Sequence, residues 1–249
     1  MISDIDKIAL KRLNNQSKYD DDREAYCKIC KDKRHVYVYK EYGNGNGEIV
    51  AKRCSCYDAQ VNRDRIEASG LKAQIESCTF ENFNTNTVWK KRVKTLALEY
   101  VENLDSDEWF VVSGAVGGGK THICTAISKE FLLAGKSFLY FKYAEEMPLL
   151  NKQLLSFHAD VLVEAKKTLD TLKEVEVLYI DDFLKIRNEE FIFAIIDYRY
   201  SNNLKTIIST ELDYTSMAQI DEAIASRIKQ KAGKFWTHLG DDNTKNQRL

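Results

Sequence analysis

The stretch Gly114-Ala115-Val116-Gly117-Gly118-Gly119-Lys120-Thr121 decides the fold of this 249-residue chain. It fits the pattern G-x-x-x-x-G-K-[ST] at every position. It also follows an apolar stretch, 109–113, and opens an expected helix, 120–134, which is the context that the pattern requires. Glycines let the backbone N–H groups face phosphate oxygens, and the N-terminus of the helix adds partial positive charge. The stretch therefore predicts a phosphate-binding loop.

The chemistry of this loop assigns a role to its last two residues. Lys120 is expected to reach the β- and γ-phosphates of ATP, and the hydroxyl of Thr121 is expected to coordinate Mg²⁺. The predicted nucleotide-binding residues are Gly114, Gly117, Gly118, Gly119, Lys120, Thr121 and His122.

A second acidic motif ends the apolar stretch Val177-Leu178-Tyr179-Ile180. Asp181 and Asp182 follow it directly, as two acids follow a Walker B strand. Asp181 is expected to hold Mg²⁺, directly or through water. Asp182 is expected to act as the general base that polarises an attacking water.

Helical and strand-like patterns alternate around these motifs. Apolar strands that alternate with helices predict a parallel sheet covered by helices on both faces. The expected strands are 109–113, 137–141, 175–180 and 206–210, and the expected helices are 88–103, 120–134, 144–174, 189–201 and 215–231.

Four clustered cysteines precede this region as a C-x2-C pair, 23 residues and a C-x-C pair: Cys27, Cys30, Cys54 and Cys56. Four thiolates suit tetrahedral Zn²⁺, and close pairs are typical of a structural zinc site rather than of disulfides. An iron–sulfur cluster and four unliganded thiols remain as alternatives.

The segment around the cysteines predicts a small domain of its own. We expect a helix at 2–18, a hairpin at 35–53 that turns at Asn44-Gly45-Asn46-Gly47, and a helix at 57–69. Because the cysteine pairs bracket the hairpin, the segment resembles a zinc ribbon. The predicted domains are 1–72 with the zinc ribbon and 73–249 with the phosphate loop.

Composition excludes several classes of protein. The formal net charge is −1, so nucleic-acid binding cannot come from bulk electrostatics and needs a local patch or an assembly of copies. No apolar run approaches the roughly 18–20 residues needed to cross a bilayer, and the N-terminus lacks a signal-peptide pattern. We therefore expect a cytoplasmic protein without a membrane partner.

Several segments together resemble the bacterial and phage helicase loaders of the DnaC/DnaI type, which are AAA+ ATPases. The similarity extends over nearly the whole chain and is strongest to loaders of phages and mobile elements. The segments that carry it are 69–71, 78–83, the phosphate loop, 181–183, 196–200, 206–211 and 223–228.

The resemblance implies further site residues. Arg227 lies in a segment similar to the one that carries the arginine finger, which acts on ATP bound by a neighbouring copy. Thr210 and Glu211 occupy the sensor 1 region, where many relatives have Asn in place of Glu211. Asp182 replaces a Glu of many AAA+ proteins, which implies slow turnover. Residues 228–249 are too few for the usual helical lid, so the resemblance implies an AAA+ core without one.

The resemblance also implies a function. The chain is expected to be an ATPase that loads a replicative DNA helicase, a hexamer of the DnaB type, onto single-stranded DNA, with several copies seated on the helicase. One alternative is an IstB-type transposition helper ATPase. The other is a nucleotide-switched binding module or helicase inhibitor with little hydrolysis. The sequence assigns no role to Cys78 or Cys124.

Overall fold

A computed structural model describes residues 3–18, 25, 27–42, 46–185 and 191–238. The chain divides into two compact units, Met1–Asp64 and Arg65–Leu249, each with its own hydrophobic core. The expected helical residue Ile2, the turn residues Asn44 and Gly45, and the expected helix start at Glu189 lie outside the described residues. Among the described helices, none is both long enough and apolar enough to span a bilayer.

The first unit contains one helix and one antiparallel hairpin, and a second helix begins in it. The Asn14 amide group donates to the carbonyl of Tyr37 at 2.9 Å and accepts from its N–H at 2.8 Å, which joins the helix to the edge of the hairpin. Both expected elements are therefore present. The elements are α1 (Asp4–Asn15), β1 (His35–Glu41), β2 (Gly47–Arg53) and α2 (Tyr57–Ala68).

The second unit is a five-stranded parallel sheet with helices on both faces. The strand order is β4-β5-β6-β3-β7, and every neighbouring pair is parallel, so the predicted α/β class is confirmed. Its elements are α3 (Lys72–Ile75), α4 (Val88–Val101), β3 (Phe110–Ser113), α5 (Lys120–Leu133), β4 (Phe138–Lys142), α6 (Tyr143–Leu154), α7 (Ala159–Glu174), β5 (Val177–Phe183), α8 (Ile192–Ser201), β6 (Lys205–Thr210), α9 (Tyr214–Ile220), α10 (Glu222–Ala232) and β7 (Trp236–His238).

Alternate residues of each central strand enter different cores. Val111 and Ile208 pack into one cluster, whereas Val112 and Ile207, their neighbours along the strands, pack into the other. Because both faces are buried, the strands read as continuous apolar runs rather than as alternating ones. This explains why short apolar runs in the sequence mark the sheet correctly.

The structure adds details that the periodicity did not predict. The expected helix at 144–174 is two helices, separated at 155–158, and the one at 215–231 breaks at Asp221. The Asp221 carboxylate accepts from the N–H of Ile224 at 2.9 Å and so caps α10. Residues 228–238 complete α10 and add β7 to the sheet, so this described stretch forms no separate lid.

Parallel strands place the predicted motifs at one edge of the sheet. The phosphate loop follows β3, the paired acids end β5, and Glu211 follows β6. In the sheet order β6 lies between β5 and β3. The carboxyl ends of these three neighbours therefore form the floor of a common cleft.

Candidate nucleotide and metal sites

A cleft of about 470 Å³ lies above the carboxyl ends of these strands. Lys120 and Thr121 line it from the phosphate loop and α5, and Asp181 and Asp182 line it from β5. Three predicted site residues are not among the described residues that line the cleft: Gly114, Gly118 and Arg227. The predicted site residues that do line it are Gly117, Gly119, Lys120, Thr121, His122, Asp181 and Asp182.

The phosphate loop has a backbone that only glycine adopts easily. Gly117 and Gly119 have φ angles of +78° and +91°, in the left-handed region. Lys120 is buried, and its ammonium donates to the carbonyls of Gly114 at 2.7 Å and Ala115 at 2.9 Å. Burial lowers the pKa of Lys120, and the carboxylates of Glu211 and Asp182 oppose that shift. The lysine is therefore a largely buried cation, and its charge favours an anionic ligand in the cleft.

Thr121 and Asp181 supply two oxygen atoms of the kind that Mg²⁺ binds. The Thr121 hydroxyl donates to Oδ1 of Asp181 at 3.3 Å. Adjacent oxygen ligands of octahedral Mg²⁺, each at 2.0–2.1 Å, are about 2.9 Å apart, so the observed separation is close to what the ion needs. The residues present therefore fit a magnesium ion, with Thr121 and Asp181 as its protein ligands.

Besides Thr121, three hydroxyl groups fix the carboxylate of Asp181. Tyr140 donates to Oδ2 at 2.8 Å, Tyr179 donates to Oδ1 at 2.8 Å, and Ser209 also donates to Oδ1. Burial and the nearby carboxylate raise the pKa of both tyrosines, so both remain neutral donors. Asp181 is thereby held in one orientation before any ion arrives.

Asp182 projects into the same cleft because the strand is irregular there. The β5–β6 register shifts between Ile180 and Phe183, and Asp182 has a φ of +55°. Its backbone N–H donates to the hydroxyl of Ser209 at 3.1 Å. In a regular strand two successive side chains point to opposite faces, so the shift allows both acids to line one cleft.

His122 contacts the segment 79–83, which precedes α4 in the second unit. Its Nε2 lies 2.9 Å from the carbonyl oxygen of Thr79, and its ring meets the Phe83 ring edge-on at 5.2 Å. Phe80 and Phe83 are buried in the core that covers one face of the sheet. His122 thus joins α5 to this segment as well as lining the cleft.

Arg227 lies on α10 and is already paired. Its Nε donates to the Asp197 carboxylate of α8 at 2.8 Å, and its guanidinium lies 5.1 Å from the centroid of Phe193. About a quarter of the side chain, 28%, is exposed. An arginine finger acts on a neighbouring copy's nucleotide, so a position outside the lining of its own cleft is compatible with that role, which stays a prediction.

The four cysteines of the first unit converge. Their Sγ atoms all lie within 4.8 Å of one another, with Cys27 to Cys54 at 3.9 Å and Cys30 to Cys56 at 3.3 Å. Sulfur atoms around tetrahedral Zn²⁺, each at about 2.3 Å, are about 3.8 Å apart. All four thiols are free rather than joined in disulfides. The donor set therefore fits a structural zinc ion.

Two polar side chains, Gln60 and Asp32, hydrogen-bond to the cysteines. Gln60 donates to Sγ of Cys56 at 2.9 Å and to Asp32 at 3.3 Å, and Asp32 accepts from the N–H of Cys27 at 2.8 Å. The backbone N–H of Cys30 lowers the pKa of the Cys27 thiol to about 7, whereas burial raises the pKa of the Cys30 and Cys56 thiols. Such N–H groups around sulfur stabilise thiolates, the form that binds metal.

Residues to which the sequence motifs assign no role complete the nucleotide site. Tyr179 could have been found, because it lies two residues before Asp181 and so shares its strand face. Lys185 pairs with Asp182 at 3.0 Å and with Glu211 at 3.3 Å, and it lies three residues after Asp182, across a tight turn. Tyr140 and Ser209 carry no local signal, because only the strand order brings them to Asp181.

The fold and the cleft together define a P-loop nucleotide-binding protein with an AAA+ type of parallel sheet. The chain belongs to the family of IstB-like ATP-binding proteins, whose profile matches residues 46–231. The match begins at β2 and ends within α10, so it includes the whole cleft.

The chain is also similar to several named proteins, and it shares its fold with solved structures. The chain is 32% identical over 221 residues to the uncharacterized protein YqaM of Bacillus subtilis, covering 81% of this chain and 68% of that protein. It is 30% identical over 196 residues to the replicative helicase loader DnaC of Buchnera aphidicola, and the match covers 76% of this chain and 77% of that protein. The crystal structure of DnaI shares the fold, with a TM-score of 0.54 at 21% identity over 68% of this chain and 91% of that one.

Proposed function

We propose that this protein is an ATP-dependent loader that places a replicative DNA helicase on single-stranded DNA when replication begins. The observation that carries the proposal is the complete phosphate-loop cleft on the fold of the IstB-like family, in a chain similar to proteins named replicative helicase loader. The loader acts in the cytoplasm as several copies seated on the helicase.

ATP hydrolysis supplies the switch in this proposal. Lys120 and the loop N–H groups bind the phosphates, and Thr121 and Asp181 hold Mg²⁺, which neutralises phosphate charge when bound. Asp182 accepts a proton from water while the water oxygen forms a bond to the γ-phosphorus. The bond from that phosphorus to the bridging oxygen breaks, and its electron pair leaves with ADP.

Assembly completes the catalytic site. Arg227 of one copy reaches the γ-phosphate bound by the next and stabilises the charge that develops there. Within one copy its Nε donates to the Asp197 carboxylate at 2.8 Å. Turnover therefore depends on neighbouring copies, and hydrolysis releases the loader after the helicase is in place.

The first unit supplies the grip on the helicase. On α1 the residues Ile5 and Ile8 are 80% and 57% exposed, whereas a helix of a globular protein normally faces its apolar stripe toward the core. An apolar helix face of this kind suits a groove in a partner protein. The zinc ribbon beside α1 provides a rigid base for that contact.

Single-stranded DNA is contacted by the second unit, at the turn between α6 and α7. Phe157 is fully exposed there, Leu155 is 59% exposed, and Lys152 lies in the last turn of α6. An exposed aromatic ring beside a cation suits base stacking combined with a phosphate contact. Lys166 and Lys167 follow on α7, but acids alternate with the lysines, so stacking contributes more than net charge.

The test is co-elution with the hexameric host helicase, with light scattering to count copies, in the presence of ATP analogue or ADP. We expect a complex whose stability depends on nucleotide, and we expect Ile5→Asp/Ile8→Asp to abolish it. The matched control is Leu149→Asp, which changes an exposed leucine of the second unit. Absence of a complex both with ATP analogue and with ADP would contradict the loader proposal.

One alternative has specific support, because the family profile is named for IstB. A transposition helper would form a complex with target DNA and a transposase instead of a helicase. A helicase inhibitor would bind the helicase as a loader does, but it would lower unwinding in a helicase assay where a loader raises it. These two assays separate the three activities.

A further inference from the structure

Lys185 is the third basic side chain of the nucleotide cleft, and no sequence motif includes it. Its Nζ lies 3.0 Å from the Asp182 carboxylate and 3.3 Å from that of Glu211. All three side chains line the same cleft as Lys120 and Thr121. Lys185 therefore bridges the predicted general base and the sensor 1 residue.

Local structure fixes this bridge. Leu184 is buried with a φ of +55°, and the N–H of Lys185 donates to the carbonyl of Asp182 at 3.1 Å, which closes a tight turn. The hydroxyl of Thr210 donates to the carbonyl of Phe183 at 2.8 Å. The end of β5 is thereby tied to the end of β6, and Glu211 stays beside the turn.

The charges of the cleft require such a cation. Lys142 pairs with Glu145 at 3.4 Å, which leaves Asp181, Asp182 and Glu211 against Lys120 and Lys185. Asp181 has four hydroxyl donors and the predicted magnesium ion. The γ-phosphate brings about two more negative charges at neutral pH, so Asp182 and Glu211 would repel it if Lys185 were absent.

The groups of the cleft are close enough to influence one another. Glu211 and Asp182 raise the pKa of Lys120 against the effect of burial, and Lys185 lowers it. The hydrogen bond with Asp182 raises the pKa of Lys185, so its ammonium keeps its charge throughout the neutral range. The 43% exposure of the side chain leaves it free to change partners.

We propose that Lys185 is the residue by which this site distinguishes ATP from ADP. This inference rests on the proposed ATP-binding function. When ATP is bound, the ammonium contacts a γ-phosphate oxygen, and the Asp182 carboxylate is released to receive the proton of the attacking water. When ADP is bound, Lys185 remains between the two carboxylates.

The test measures the affinities of ADP and of a non-hydrolysable imido analogue of ATP by calorimetry on the full chain. For Lys185→Met we expect the analogue to bind about tenfold more weakly, which is about 1.4 kcal/mol, while ADP changes less than about twofold. The double variant Lys185→Met/Glu211→Gln should recover part of the loss, because one repelling carboxylate is gone. Lys185→Arg should stay close to the wild type.

Lys136 provides the matched control. It is a lysine that also bridges two carboxylates, Asp105 at 2.6 Å and Glu176 at 4.0 Å, but it does not line the cleft. Lys136→Met should leave both affinities unchanged. Glu211→Gln alone should tighten binding of the analogue and leave ADP unaffected, which tests the inference even if Lys185→Met does not fold.

Equal weakening of both nucleotides by Lys185→Met would show a merely structural bridge and would overturn the inference. So would an unchanged analogue affinity, or a double variant weaker than the single one. Failure of the wild type to bind ATP analogue or ADP is a different result, because it would overturn the proposed function together with the inference.

Discussion

Removal of metal from the four cysteines is expected to unfold the first unit and leave the second unit folded. The reason is the composition of the first core. Within the described residues up to position 64, the buried side chains are Cys27, Cys30, Asp32, Cys54 and Gln60. All five belong to the cysteine cluster or bond to it, so the predicted metal site is the core of this unit.

The size of the effect follows from this arrangement. A structural zinc ion held by four thiolates contributes about 10–16 kcal/mol to folding. Whole domains are stable by only about 5–15 kcal/mol. The described part of the first unit has no apolar core besides the cysteine cluster and its neighbour Val36. The free energy lost with the ion should therefore exceed the entire free energy of unfolding of this unit.

The three tryptophans make the assay selective. Trp89, Trp109 and Trp236 all lie in the second unit, so a thermal transition followed by tryptophan fluorescence reports on that unit alone. We expect about one zinc ion per purified chain. A strong chelator should release it, lower the far-UV circular dichroism and expose residues before 65 to protease, with the fluorescence transition unchanged.

Matched cysteine substitutions supply the control. Cys27→Ser should reproduce the effect of the chelator, whereas Cys78→Ser should not, because Cys78 lies in the second unit outside the cluster. Purified protein without metal, or a first unit that resists protease after chelation, would refute the argument. Loss of the fluorescence transition on chelation would refute the independence of the two units.

Three further predictions concern the second unit. Lys120→Ala should abolish ATP binding or turnover in calorimetric and phosphate-release assays, because the loop loses its buried cation. Arg227→Ala should retain ATP binding but lose turnover that depends on assembly, and full DNA-stimulated activity in that variant would exclude the finger. Burial lowers the pKa of Lys205 to about 8. The unfolded chain therefore binds more protons between about pH 8 and 10.4, and denaturant titrations should show the stability of the wild type rising with pH relative to Lys205→Met.

Much of the fold was predictable because local patterns and the tertiary structure agree. The phosphate loop requires a strand before it and a helix after it, and β3 and α5 are there. The continuous apolar runs predicted buried parallel strands, and the sheet buries both faces. The four cysteines could be grouped from spacing alone, since metal ligands come in close pairs.

Other features have no local signal. The strand β7, Trp236–His238, is too short to show a period, and it exists because β3 offers an edge. Arg199 is fully buried, and within the described part of the chain it has no acidic partner; its guanidinium donates to carbonyls that include those of Leu172 and Val175. An arginine in a helical pattern reads as exposed, so only packing could reveal this position.

The sequence by itself determined the class of this protein: a phosphate loop, paired acids at a strand end and four grouped cysteines. These are determined locally, because each motif needs only neighbouring residues to acquire its geometry. The tertiary structure alone decided the surroundings of those motifs. Tyr140 and Ser209 reach Asp181 from strands on either side, and Lys185 meets Glu211 because β5 and β6 are adjacent. Strand order is set by packing across the whole sheet, and no stretch of sequence encodes it.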